Sequence, residues 1–152
     1  MMDEVGINKL LGLSSTASLW DADSRLVHFT SAMRYPVFVD GRNWSGTPSM
    51  VRTSKLREWL LQWTGAELAL LKNCLIVPLG PKVAAAMHYL ADQDQIDRGL
   101  TMDSMPHPSG ANQERIKFFI GDKPAEQCSS KTNTATLTAA RNALLRKVSL
   151  NS

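Results

Sequence analysis

Apolar positions along the chain switch between a helical period and short continuous runs, and that switching predicts its elements. Asp3 to Leu13 reads as a short helix, with Val5, Leu10 and Leu11 among its apolar positions and Gly12 near its end. Leu26-Val27-His28-Phe29-Thr30 reads as a strand, short and rich in branched and aromatic residues. Val37-Phe38-Val39 is a short extended piece that leads into a turn region from Asp40 to Pro48. Ser54 is placed to cap a helix whose Leu56, Trp59, Leu60 and Trp63 share one face. Thr64 and Glu67 match a capping box, which predicts a second helix turning Leu68 and Leu71 inward.

Cys74 to Leu79 is a nearly unbroken apolar run, the pattern of a strand buried on both faces. Gly80-Pro81 ends it, and the proline suits the first turn of a helix carrying Val83, Met87 and Leu90 on one face. A shorter strand is expected from Leu100 to Met105. Ile116, Phe119 and Ile120 then mark an amphipathic helix that stops at Gly121. The tail from Asn133 to Val148 places Leu137, Ala140, Leu144 and Val148 on one face and leaves Arg141, Arg146 and Lys147 to solvent. Alternating strands and helices predict an α/β fold, a mostly parallel sheet with helices on its faces. Ligands of such sheets bind beyond the carboxyl ends of the strands. Thr30-Ser31, Gly80-Pro81 and His107-Pro108-Ser109 are therefore expected to converge on one crevice.

Composition bounds this picture without changing it. With 152 residues, 43% hydrophobic and 20% charged, a single domain over 1–152 is expected, and its size needs no metal or disulfide staple. The 17 Lys and Arg exceed the 14 Asp and Glu by a net charge of +3, which permits a polyanionic partner without requiring one. Cys74 and Cys128 are too far apart in sequence for a thiolate metal motif, and Cys74 reads as a small buried hydrophobe. The absence of a signal peptide or an apolar run of about 18 residues points to a cytoplasmic chain without membrane attachment.

The chemistry concentrates in Met105-Pro106-His107-Pro108-Ser109-Gly110-Ala111-Asn112, a rigid polar loop between an expected strand and an expected helix. Two prolines restrict the backbone around His107, so its ring can be oriented at low entropic cost. Ser109 is a natural helix cap, and Gly110 and Ala111 leave the helix start open to a phosphate. His28 and His88 read as structural. Trp59 and Trp63 read as core, whereas Tyr35 and Trp44 lie in loop-like sequence from which a ring can stack on a base. Paired carboxylates, a Walker loop, GxGxxG and a Gly-x-Ser-x-Gly elbow are all missing, so neither a cofactor nor a metal is expected.

Three segments together resemble the uracil-DNA glycosylase superfamily. Phe29-Thr30-Ser31-Ala32-Met33-Arg34-Tyr35-Pro36 looks like the strand and loop that follow the family's first motif. Leu75-Ile76-Val77-Pro78-Leu79-Gly80-Pro81-Lys82-Val83-Ala84 is similar to its unit of apolar strand, Leu-Gly and alanine-rich helix. His107-Pro108-Ser109 matches its second catalytic motif. The resemblance implies a three-layer α/β/α fold with a small, mostly parallel sheet, and hydrolysis of the N-glycosidic bond of a damaged base, typically uracil, in DNA. It further implies that Thr30, Ser31 and Pro108 bind the base, that His107 stabilises the leaving group, and that Ser109, Gly110, Ala111 and Asn112 hold a DNA phosphate. Some features depart from the family. The first motif has no match before Leu26, so the domain reads as N-terminally incomplete relative to the family. Ser31 stands where many relatives carry asparagine. Gly110-Ala111 stands where a bulky wedge is common. A catalytically inactive nucleic-acid-binding module of the same fold is the alternative, and an exposed sheet edge would allow a homo-oligomer.

Overall fold

The computed structural model describes residues 1–151. Their contacts fall into two compact units, one joining residues 1–28 to the described residues from 103 onward and the other formed by 29–102. The helices are α1 (Ile7–Leu10), α2 (Ser54–Trp59), α3 (Ala66–Leu68), α4 (Pro81–Asp92), α5 (Gln113–Ile120) and α6 (Thr134–Asn151). The strands are β1 (Phe38–Val39) and β2 (Arg42–Asn43). The chain is thus mixed helix and sheet.

In the unit of residues 29–102, β1 and β2 pair antiparallel, Phe38 opposite Asn43 and Val39 opposite Arg42. Asp40 and Gly41 turn the ribbon at φ of 49° and 72°. Positive φ at both central residues is the condition for a tight hairpin whose twist matches its strands, and Asp-Gly meets it at least cost. The ribbon is tied at its base. Trp44 N–H donates to Val37 O at 2.9 Å, the Trp44 indole donates to Pro48 O at 2.9 Å, and both Val37 and Trp44 pack on the core.

A parallel sheet was expected, and only a trace of one is formed. Ile76 bridges Thr101 in parallel, with Ile76 N–H donating to Leu100 O at 2.9 Å and Met102 N–H donating to Ile76 O at 2.8 Å. The chain between them is α4, entered at Pro81 as its first residue. Two of the expected strands are therefore neighbours joined through a helix, but too few backbone groups pair for a ladder. The expected Leu26–Thr30 strand is not formed either. Ser24–Leu26 makes a 3-10 turn, Val27 after it is extended, and residues 27–30 form no strand. Cys74 is exposed rather than buried. It follows Asn73 at φ 57°, where the chain is still turning out of α3.

One continuous helical rod replaces the two helices expected around Ser54 and Thr64. Between α2 and α3, Leu60–Gly65 winds as a π-helix. A π turn holds more residues than an α turn, so inward positions become more widely spaced. Apart from the buried Gly65, the buried residues fall four apart, at Leu56, Leu60, Thr64 and Leu68. Trp63, inward on a 3.6 period, is 36% exposed and meets the Tyr35 ring edge-on at 5.7 Å. The core then closes against α4 through Ala86, Met87 and Leu90. A side chain at Gly65 would lie 3.2 Å from Leu90 Cδ2, so glycine lets the rod approach α4 closely.

The other unit buries Val5, Ile7, Leu19, Met105, Phe119, Leu144 and Val148. The first helix, expected unbroken from Asp3 to Leu13, is interrupted at Gly6, between a 3-10 turn over Asp3–Val5 and α1. Asp3 accepts hydrogen bonds from Thr16 N–H at 2.8 Å and from the Ser15 hydroxyl at 2.7 Å. Burial works to raise its carboxyl pKa, but these bonds outweigh it and hold it below the ordinary value. Gly121 ends α5 in the left-handed conformation, and Leu144 and Val148 are the buried positions of α6, both as the pattern predicts.

The four-residue spacing has a testable consequence. Leu60→Ala should lower the unfolding free energy by about 2–5 kcal/mol, the range for deleting a fully buried leucine. Trp63→Ala should cost less, despite removing more atoms. Thermal melts of the two variants that reverse this order would restore the 3.6-period register.

Candidate functional site

Met105 and Pro106 are buried and anchor the chain just before His107, which is exposed. Ser109 N–H donates to His107 O at 2.8 Å, closing a three-residue turn around Pro108. Gly110–Asn112 then makes a 3-10 turn that runs into α5. Ser109 occupies the cap position, yet its hydroxyl caps nothing. It accepts instead from the Asn112 side-chain amide at 3.0 Å. Asn112 is itself oriented, because its carbonyl oxygen accepts from Arg115 at 2.5 Å and Arg115 also donates to Lys131 O at 3.3 Å. With its oxygen accepting from Asn112, the Ser109 hydroxyl keeps its own hydrogen to donate elsewhere. A Cβ at Gly110 would meet nothing within 4 Å, so the approach to the helix start is open.

The expected catalytic His107, the expected base-binding Pro108 and the expected phosphate-binding Ser109, Gly110, Ala111 and Asn112 are therefore one continuous turn in one unit. Thr30 and Ser31 belong to the other unit. Both are exposed. Thr30 donates to Glu67 at 3.2 Å, and the same carboxylate lies 3.5 Å from the Arg34 guanidinium. Thr64 donates to Ala32 O at 2.9 Å. Loop residues 30–35 are thus fastened to the rod by Trp63, Thr64 and Glu67. The residues read as a capping box do not cap: both side chains hold this loop.

One further cluster was missed in the sequence. Glu114 accepts from Lys123 at 2.7 Å, from Ser129 N–H at 3.2 Å, from the Ser129 hydroxyl at 2.6 Å and from Thr132 at 2.5 Å. These partners come from 9 to 18 residues away, beyond any local spacing rule. The Lys123 hydrogen bond, followed by those of Ser129 and Thr132, holds its carboxyl far below the ordinary glutamate range. The Lys123 ammonium is correspondingly raised, chiefly by its bond to Glu114. The cluster ties the segment after α5 back onto the helix that carries Asn112 and Arg115. His88, read as structural, is half-buried with Nε2 3.4 Å from Met102 O.

A hollow of about 610 Å³ lies in the 29–102 unit, among Leu71, Cys74, Ile76, Ile96, Arg98 and Leu100. It sits where the chain enters the two bridged segments, at the end opposite Gly80. Among the described residues no group of three or more His, Cys, Asp or Glu side chains is placed to hold a metal ion. No helix there is long and apolar enough to cross a membrane.

No family model matches the chain, and no solved structure does. It is similar to "Uncharacterized protein YoxB" of Bacillus subtilis (strain 168), with 30% identity over 125 residues, which is 81% of this chain and 49% of that protein. The chain spans about half the length of the curated relative it matches.

The Glu114 cluster makes stability depend on acid. Its folded-state pKa lies below the unfolded one, so its contribution is fully present above roughly pH 4.3 and shrinks as pH falls below that value. Glu114→Gln should therefore flatten the loss of melting temperature between neutral pH and pH 3 to 4. Parallel acid titrations of wild type and variant would contradict the assignment.

Proposed function

We propose that this chain is a uracil-DNA glycosylase-like protein, acting on DNA that contains uracil or another damaged base. The observation that carries the reading is the His107 turn: an exposed imidazole beside a hydroxyl whose acceptor side is already occupied by Asn112, at an open helix start. When the glycosidic bond breaks, negative charge grows on the departing base. An imidazole at position 107 would hydrogen-bond that anion, a contact worth about 3–4 kcal/mol of transition-state stabilisation. Ser109 and the N–H groups of Gly110 and Ala111, which have no partner within the helix, would hold a flanking phosphate. Asn112 positions Ser109, and Arg115 positions Asn112. The resemblance also assigns base recognition to Thr30 and Ser31, in the 29–102 unit, and to Pro108 in the other unit.

In this reading the parallel Ile76–Thr101 pairing through α4 belongs to a three-layer α/β/α sheet. The two free cysteines suit the reducing cytoplasm. A second reading, the same surface binding nucleic acid without hydrolysis, is favoured by one feature of the matched residues: none is a carboxylate that would position water.

His107→Ala should abolish release of uracil from a uracil-containing oligonucleotide while leaving the thermal melt unchanged. Excision that survives the substitution would remove His107 from the reaction. Binding without excision by the wild-type chain would select the non-hydrolytic module.

A further inference from the structure

The β1–β2 ribbon exposes both of its faces. Phe38 is 60% exposed, Val39 is 37% exposed and Arg42 opposite it is exposed. Tyr35, just before the ribbon, is 55% exposed and held edge-on by Trp63. A single exposed apolar residue needs no explanation. Here, however, the aromatics are interleaved with cations. From Phe29 to Glu58 the chain carries Arg34, Arg42, Arg52, Lys55 and Arg57 against Asp40 and Glu58. The other residues hold twelve cations and twelve carboxylates, so the chain's whole positive excess falls in this stretch.

We infer that the ribbon and the Tyr35–Trp63 pair form a binding face for a single strand of nucleic acid. Exposed aromatic rings stack on bases whatever their sequence, and neighbouring cations track the phosphates. The anchored base of the ribbon holds the backbone beside Phe38, whose ring stays exposed. A second copy of this chain would bring the same positive stretch against itself and be repelled, whereas a polyanion would be attracted. The inference rests on the nucleic-acid reading above and adds the form of the ligand and a second set of contacts to it.

The test is fluorescence anisotropy of a labelled short oligothymidylate titrated with the full chain at about 50 and 200 mM salt. Phe38→Ala should weaken binding by about 5- to 150-fold, the range for one lost base stack. Arg42→Ala should reduce the slope of log affinity against log salt by about 0.7. Both side chains are exposed, and unchanged circular dichroism would confirm folded variants. Binding unaltered in both variants would overturn the ribbon assignment alone. Failure of the wild type to bind any strand would overturn the nucleic-acid reading with it. Duplex bound more tightly than the single strand, or self-association that Phe38→Ala abolishes, would also overturn the assignment.

Discussion

The winding of the rod from Ser54 to Leu68 decides most of what the 29–102 unit presents. A π segment at Leu60–Gly65 moves the inward stripe to a four-residue step. That step puts a polar residue, Thr64, in the core at 1% exposure, where an unpaired hydroxyl would be costly. The hydroxyl is satisfied by Ala32 O, and the demand for that acceptor draws in the loop. Once Ala32 is fixed, Thr30 and Arg34 come within reach of Glu67 on the same rod, and Tyr35 meets Trp63. The placement of Thr30 and the exposure of Tyr35 both follow from one buried hydroxyl and the helix geometry that buries it.

A different constraint governs the His107 turn. Loops carry function when a rigid scaffold positions them. Here the scaffold on one side is the buried pair Met105-Pro106, and on the other a helix whose first turn is held by side chains rather than by a conventional cap. Arg115 fixes Asn112, and Asn112 occupies Ser109. The neighbouring Glu114 faces a separate set of partners, so two consecutive residues of α5 serve different ends. Glu114 binds the later segment to the helix, and Arg115 orders the turn before it. The carboxylate's lowered pKa is the electrostatic signature of the first task, since four donors around one carboxylate favour its ionised form.

Where local chemistry decided the outcome, the sequence was readable. The chain turns at Asp40-Gly41 after an extended piece, Pro81 opened α4, Gly121 closed α5, and the Leu144 and Val148 face of α6 is buried, whereas β2 lies within what reads as loop from Asp40 to Pro48. The errors occur where a distant partner won. Thr64 and Glu67 have capping-box spacing, but their hydrogen bonds go to residues more than thirty positions away. Cys74 was read with the apolar run that follows it, yet the turn at Asn73 leaves it outside. Leu26 to Thr30 has strand composition but no neighbouring edge to pair with, and β-propensity without a partner makes no strand. In the His107 turn, position and rigidity were legible. The Asn112–Ser109 bond was not, because Ser109 is equally suited to cap the helix.

The ribbon shows why exposure has to be weighed with charge. A two-stranded hairpin is marginal in water unless something packs on it, and here only its base is packed, through Val37 and Trp44. Nothing in the ribbon's stability calls for an exposed phenylalanine at position 38, and a polar residue there would pair with the Asn43 strand equally well. Nor does the packing of the ribbon require the positive excess of the same thirty-residue stretch, in which Arg34 is paired with Glu67 and Lys55 with Glu58. An exposed ring and a local positive excess, neither of which the fold requires, are the two features on which the proposed nucleic-acid face rests.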